Sequence, residues 1–97
     1  MNKKLIYDKL KDKEEYLKKT FHVKKIGVFG SFARDEQNCN SDIDILVEFE
    51  KGYKDLFNYM KLKYYLEELF NRKVDLVIKN AIKKEIKEKI LNEVKYA

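Results

Sequence analysis

From Lys3 to about Thr20, and on to Phe21, the residues Leu5, Ile6, Leu10, Leu17 and Phe21 recur at helical spacing with lysines and glutamates between them. That pattern predicts one amphipathic helix. The period then changes. Val23–Phe29, VKKIGVF, is β-branched and aromatic and stops at Gly30, as a strand would. Ser31–Arg34 opens a short helical turn, and the polar run Asp35–Ser41 reads as loop. Asp42–Phe49, DIDILVEF, alternates: Ile43, Ile45, Val47 and Phe49 share one face, and Asp42, Asp44, Leu46 and Glu48 share the other. After the break at Lys51-Gly52-Tyr53, Asp55–Phe70 carries a helical stripe that includes Leu56, Tyr59, Leu62, Leu66 and Phe70. Asn71 stands where a left-handed residue would end that helix. Lys73–Ile78 predicts a third strand. Asn80 is placed to cap a last helix with Ile82, Ile86, Ile90, Leu91 and Val94 as its apolar stripe.

The predicted order is therefore α-β-α-β-α-β-α. It describes an α/β (α+β) domain: a small mixed three-stranded sheet with helices packed on one face, the other face left to strand residues that are not apolar. The 97 residues make a single domain, 1–97, with no linker or repeat to divide it. A hydrophobic content of 44% is enough to fold the chain although 40% of it is charged. The net charge of +5 raises the question of nucleic acid. Arg34 and Arg72 are the only arginines, however, and the lysines alternate with glutamate along the helices. A solvated helix face accounts for that, and no direct nucleic-acid binding is expected. No apolar run is long enough to span a bilayer. The N-terminus has charges throughout and no leader pattern. Cys39 is the only cysteine, so no internal disulfide can form. A cytoplasmic protein is the expectation.

The acidic residues change the picture. Asp42 and Asp44 are two apart on a strand, so they point to the same face with Cα atoms roughly 6.5–7 Å apart. Like charges this close raise each other's pKa unless a cation sits between them. Oxygen-only ligation suits Mg²⁺, which takes one or two protein carboxylates together with substrate phosphates. In KVDLVI, Val74, Leu76 and Ile78 share a face and Asp75 takes the other. If this strand pairs with Asp42–Phe49, all three aspartates meet on one face. At the end of the first strand, Gly30 lets a phosphate approach the backbone. Ser31 adds a hydroxyl, and the amides of the following turn point at an anion. Arg34, one turn on, has two roles open to it: reaching a terminal phosphate or holding an acid of the loop. An anion cradle beside a divalent-metal site is the equipment of phosphoryl or nucleotidyl transfer.

Gly30-Ser31, ten intervening residues and then Asp42-Ile43-Asp44 resemble the signature of the polymerase-β-type nucleotidyltransferase superfamily. More narrowly, GSFAR, SDIDILVEF, LEELFNRKVDLV and the IL.EV pattern near the C-terminus resemble the minimal nucleotidyltransferase (MNT) family from about Lys24 to Ala97. The resemblance implies that Asp42, Asp44 and Asp75 hold Mg²⁺, two ions in the active complex, and carry catalysis, with Asp75 as a candidate base. It implies that Gly30 and Ser31 bind the triphosphate of ATP. It also implies an antitoxin role in a hetero-oligomer with a HEPN ribonuclease toxin, neutralised by transfer of AMP from ATP onto a toxin tyrosine hydroxyl. One departure is visible: the family often has glycine after the arginine, and here it is Asp35. Two other functions stay open at this point. One is a contact-only binding module. The other is transfer of a nucleotide to a small molecule, which the lack of residues for a second domain disfavours. His22, at the mouth of the first strand, is read as structural, although a histidine there could serve as a base. Cys39 is read as an incidental thiol.

Overall fold

A computed structural model describes residues 1–97. Its helices are α1 (Lys3–Asp12), α2 (Glu14–Phe21), α3 (Gly30–Ala33), α4 (Leu56–Phe70) and α5 (Lys84–Glu93). Its strands are β1 (Val23–Phe29), β2 (Ile43–Phe49), β3 (Val74–Ile78) and β4 (Lys95–Tyr96), and a single 3-10 turn covers Lys79–Ala81. The sheet order is β3-β2-β1-β4. β1 is antiparallel to both β2 and β4, while β2 and β3 run parallel. A parallel pair needs a long crossover, and α4 provides it.

The α+β class with a mixed sheet agrees with the expectation, but the structure corrects four details. The sheet has a fourth strand, because Lys95–Tyr96 pairs with Val28 and Gly27. Two residues are too few to show as a periodic pattern. The N-terminal helix is split at Lys13. The split has a local electrostatic trace: Lys9 and Lys11 end α1, and Glu14 and Glu15 begin α2, so each half carries the charges its own dipole favours. Asn80 caps no helix. It lies in the 3-10 turn, and α5 begins at Lys84 without a side-chain cap. Finally, α1, α2 and α4 cover one face of the sheet, but α5 covers part of the other.

The main core lies on the first face. Ile6, Leu10, Leu17, Phe21, Leu62, Leu66 and Phe70 from the helices meet Val28, Ile43, Ile45, Val47, Val74 and Leu76 from the strands. The intervening strand residues Phe29 and Leu46 point the opposite way and are buried by Ile90 of α5. Hence Leu46, expected on an open face, is 1% exposed. Two helices begin with a side-chain cap. Asn2 accepts the Leu5 amide and Asp55 accepts the Asn58 amide, both at 2.9 Å. Asn71, with φ of 50°, is the left-handed stop of α4.

Candidate nucleotidyl-transfer site

β2 and β3 set the carboxylates. Their register places Asp44 opposite Asp75, and Ile43 opposite Val74. Ile43 and Val74 turn into the core, so both aspartates stand on the other face. Asp42 lies just before β2 and is exposed. The β3 edge is held from outside by α4. Glu67 accepts the Val74 amide at 3.0 Å, and the Tyr59 hydroxyl donates to the Leu76 carbonyl at 2.6 Å. The stripe that builds the α4 core thus also fixes the strand that carries Asp75.

β1 brings the Gly-Ser turn to the same place. Phe29 is the register partner of Asp44, and Gly30 follows it with φ of 73°. The Asp44 side chain fills the space where a Cβ of Gly30 would stand. Glycine is therefore required twice, by backbone conformation and by its carboxylate neighbour. Ser31 is the next residue, in the first turn of α3.

Asp44 is half-buried, and its pKa is pushed up from 3.8 to about 6. Burial is the leading cause. The Asp75 carboxylate follows, by charge and by hydrogen bond, then the charge of Asp42; Arg34 offsets part of the rise. In a metal-free protein the native state therefore retains a proton that the unfolded chain has already lost. Asp44 contributes stability that is fully present below the unfolded value and is lost as pH rises through about 6. Melting midpoints of metal-free protein should carry a component that rises as the pH is lowered through that window, and Asp44→Asn should remove it. A pH profile that Asp44→Asn leaves unchanged would place the raised carboxyl elsewhere.

The donor set is oxygen-only and adjacent, which fits a hard divalent cation. No three acidic, His or Cys side chains close on a common point as they stand. The cluster is an assembled pair, Asp44 and Asp75, with Asp42 alongside. A polar cleft of about 420 Å³ opens beside Asp42, with Ser41, Asn71, Arg72 and Lys73 among its walls.

Arg34 is held by two carboxylates. Its Nε donates to Glu36 of the loop at 2.8 Å, and its Nη1 donates to both oxygens of Glu93 at 3.1 Å. These carboxylates, Glu36 foremost, raise its pKa. Asp35 has φ of 57°, so it occupies the left-handed region where a glycine would be unstrained. The loop keeps a glycine-like backbone without the glycine. His22 sits at the opposite end of β1 from Gly30, ends α2 with φ of 57° and stacks on Tyr53 with ring centroids 3.6 Å apart. It is structural. Cys39 is free and exposed.

Two contributors escape a reading by strand phase. Arg72 donates to the Ser41 carbonyl at 3.1 Å and the Cys39 carbonyl at 3.4 Å, with its guanidinium 5.5 Å from the Phe32 ring centre. It thereby holds the loop that leads into Asp42. The signal for it was present: both arginines of a lysine-rich chain lie at this site. Glu93 carried no such signal beyond its place in the C-terminal IL.EV pattern.

The fold and this arrangement define a nucleotidyltransferase. Residues 10–97 match the nucleotidyltransferase-domain family, and the chain belongs to it. It is 51% identical over 71 residues to a candidate protein adenylyltransferase of Methanocaldococcus jannaschii, covering 73% of this chain and 75% of that one. It is 45% identical over 80 residues to the protein adenylyltransferase MntA of Thermococcus cleftensis, covering 82% and 80%. Among solved structures, a candidate minimal nucleotidyltransferase superposes with a TM-score of 0.83 at 29% identity, over 98% of this chain and 95% of that one. A toxin–antitoxin complex with AMP-PNP contains a chain that superposes at 0.70 with 25% identity, over 99% and 72%. The enzyme class and a nucleotide substrate follow. No helix is long and apolar enough to cross a membrane.

Proposed function

We propose that this chain is a Mg²⁺-dependent protein adenylyltransferase that moves AMP from ATP to a tyrosine hydroxyl of a HEPN-type toxin and silences it. One observation carries the reading: Asp44 is at once the register partner of Asp75 and the neighbour that fills the Cβ position of Gly30. Carboxylates and Gly-Ser turn are thus one site. The relatives named as protein adenylyltransferases support a protein acceptor, and the toxin–antitoxin complex with AMP-PNP supports a toxin as that protein. Leu56 and Phe57, 70% and 79% exposed at the start of α4, offer apolar surface that a protein partner would bury.

Asp42, Asp44 and Asp75 would hold the cation, which when bound neutralises charge on the phosphates and on departing pyrophosphate. The chain's own residues do the rest. Gly30 leaves room for the Asp44 carboxylate beside the turn that receives the triphosphate, and Ser31 donates its hydroxyl to it. Asp75 is exposed and serves as the base that takes the proton of the acceptor hydroxyl. The tyrosine oxygen forms a bond to the α-phosphorus as the bond to pyrophosphate breaks, so AMP stays on the acceptor and pyrophosphate leaves. A cytoplasmic location fits such a partner.

The test mixes the chain with a HEPN toxin, ATP and Mg²⁺ and follows the toxin by intact mass. Addition of whole AMP units, stopped by chelation, is the expected result. A toxin silenced without any mass change, equally by parent and by Asp42→Ala, would show a contact-only module instead. Ser31→Ala should weaken Mg-ATP binding about threefold to tenfold, the worth of one neutral hydrogen bond. Parent-like calorimetry of that variant would move the triphosphate away from this turn.

A further inference from the structure

The Gly30 amide and Arg34 share one acceptor, and it comes from the far end of the chain. Glu93 accepts the Gly30 N–H through Oε1 at 2.8 Å and receives Arg34 Nη1 on both oxygens. Its side chain is 18% exposed. Glu93 is the last residue of α5. A carboxylate there opposes the helix dipole, so α5 by itself gives no reason for an acid at this position. The reason lies in the turn that Glu93 grips. Just beyond it the chain becomes β4 and pairs with Gly27 and Val28 of β1. That approach is close: a Cβ on Gly27 would meet the Lys95 carbonyl oxygen at 2.7 Å and Val94 Cγ2 at 2.8 Å. The C-terminal segment is therefore tied both to the strand that delivers the Gly-Ser turn and to the turn itself.

The charge balance matters as much as the hydrogen bond. A bare carboxylate on the Gly30 amide would stand beside a turn that must receive a polyanion. Arg34 is the cation that neutralises it, itself steadied by Glu36.

We infer that Glu93 is a positioning residue for nucleotide transfer: it locks Gly30 in its left-handed conformation against Asp44, and Arg34 serves to cancel the Glu93 charge rather than to touch phosphate. This rests on the reading of Gly30-Ser31 as the triphosphate turn. It separates the effects of substitutions that a merely structural ion pair would treat alike. Glu93→Ala removes acceptor and charge together. Glu93→Gln keeps an acceptor for the Gly30 amide and drops the charge. Arg34→Ala leaves the charge exposed to the substrate.

The test is the dissociation constant of Mg-AMP-PNP by calorimetry, with hydrogen exchange of the Gly30 amide, at a temperature where each variant is shown to be folded. Glu93→Ala should weaken binding about tenfold or more, as expected for a charge-assisted hydrogen bond, and speed exchange at Gly30. Glu93→Gln should stay within about threefold of the parent, since it keeps the neutral hydrogen bond. Arg34→Ala should weaken binding, and adding Glu93→Gln to it should restore most of the loss. Should Glu93→Ala fail to fold, the Arg34→Ala and double-variant pair still decides the matter. A double variant as weak as Arg34→Ala would mean that Arg34 meets phosphate directly and would overturn the inference. So would a Glu93→Gln protein that binds more tightly than the parent, because the carboxylate would then be a competitor of the substrate. Ser31→Ala separates the layers. If it binds normally, the triphosphate reading falls and this inference with it. If it binds weakly while every Glu93 and Arg34 variant binds like the parent, only this inference fails.

Discussion

Asp44→Ala should lose nucleotide transfer by at least about a thousandfold while the protein stays folded, because a cation ligand and a neighbour of the phosphate turn disappear together. Asp44 touches each part of the site: it is the register partner of Asp75, and it stands against Gly30. Its removal should cost the fold little. The core beneath is built by Ile43 and Ile45, which face the other way. In metal-free protein, relief of repulsion with Asp75 and Asp42 should even raise the melting midpoint. Asp44→Asn is the sharper variant. It preserves volume and removes the charge, so it should match Ala in lost transfer and exceed it in stability. Rates of AMP incorporation, with circular dichroism melts of the same samples, check both halves. A variant that keeps a tenth of parental activity would place the essential cation ligands elsewhere.

Gly30→Val should bind no measurable nucleotide and be destabilised by about 2–4 kcal/mol, combining a left-handed backbone with a collision. At φ of 73° any L side chain is strained, and the added carbon would land on the Asp44 carboxylate. Gly52 supplies the control. Its φ is 90°, yet nothing lies within 4 Å of a Cβ built there. Gly52→Ala therefore reports backbone strain alone, roughly 1 kcal/mol at a left-handed position. The excess cost of Gly30→Ala over Gly52→Ala measures the contact with Asp44. Equal costs, read from denaturant melts, would mean that Asp44 moves aside freely and that the site is less rigid than it stands here.

The parts of this site that could be read along the chain are those with short-range causes. Alternation in DIDILVEF put Asp44 on the face opposite Ile43 and Ile45, and the same alternation did so for Asp75 in KVDLVI. Gly30 was legible because a glycine that ends a strand lets another group come close to the backbone. Asn71 was legible because few residues other than Gly and Asn end a helix in the left-handed region. Asp35 shows the limit of that logic: it holds a positive φ without the glycine that usually signals one. Asn80 misled, since an Asn after a strand can sit inside a 3-10 turn as readily as cap a helix.

The sequence by itself determined the three longer strands, the α4 stripe and the phase of Asp44 and Asp75, because period and propensity act over a few neighbouring residues. Only the tertiary structure decided which strands would be partners, and so that Asp44 meets Asp75 in parallel and Phe29 in antiparallel register. It also decided which groups the two arginines contact. Arg72 reaches carbonyls 31 and 33 residues away, and Arg34 reaches Glu93 at a separation of 59. No local rule ties residues so far apart; their meeting depends on how α5 crosses to the second face and how β4 returns along β1. That path is set by burial of Phe29, Leu46 and Ile90 against one another, a contact whose free energy exists only once the whole chain has closed.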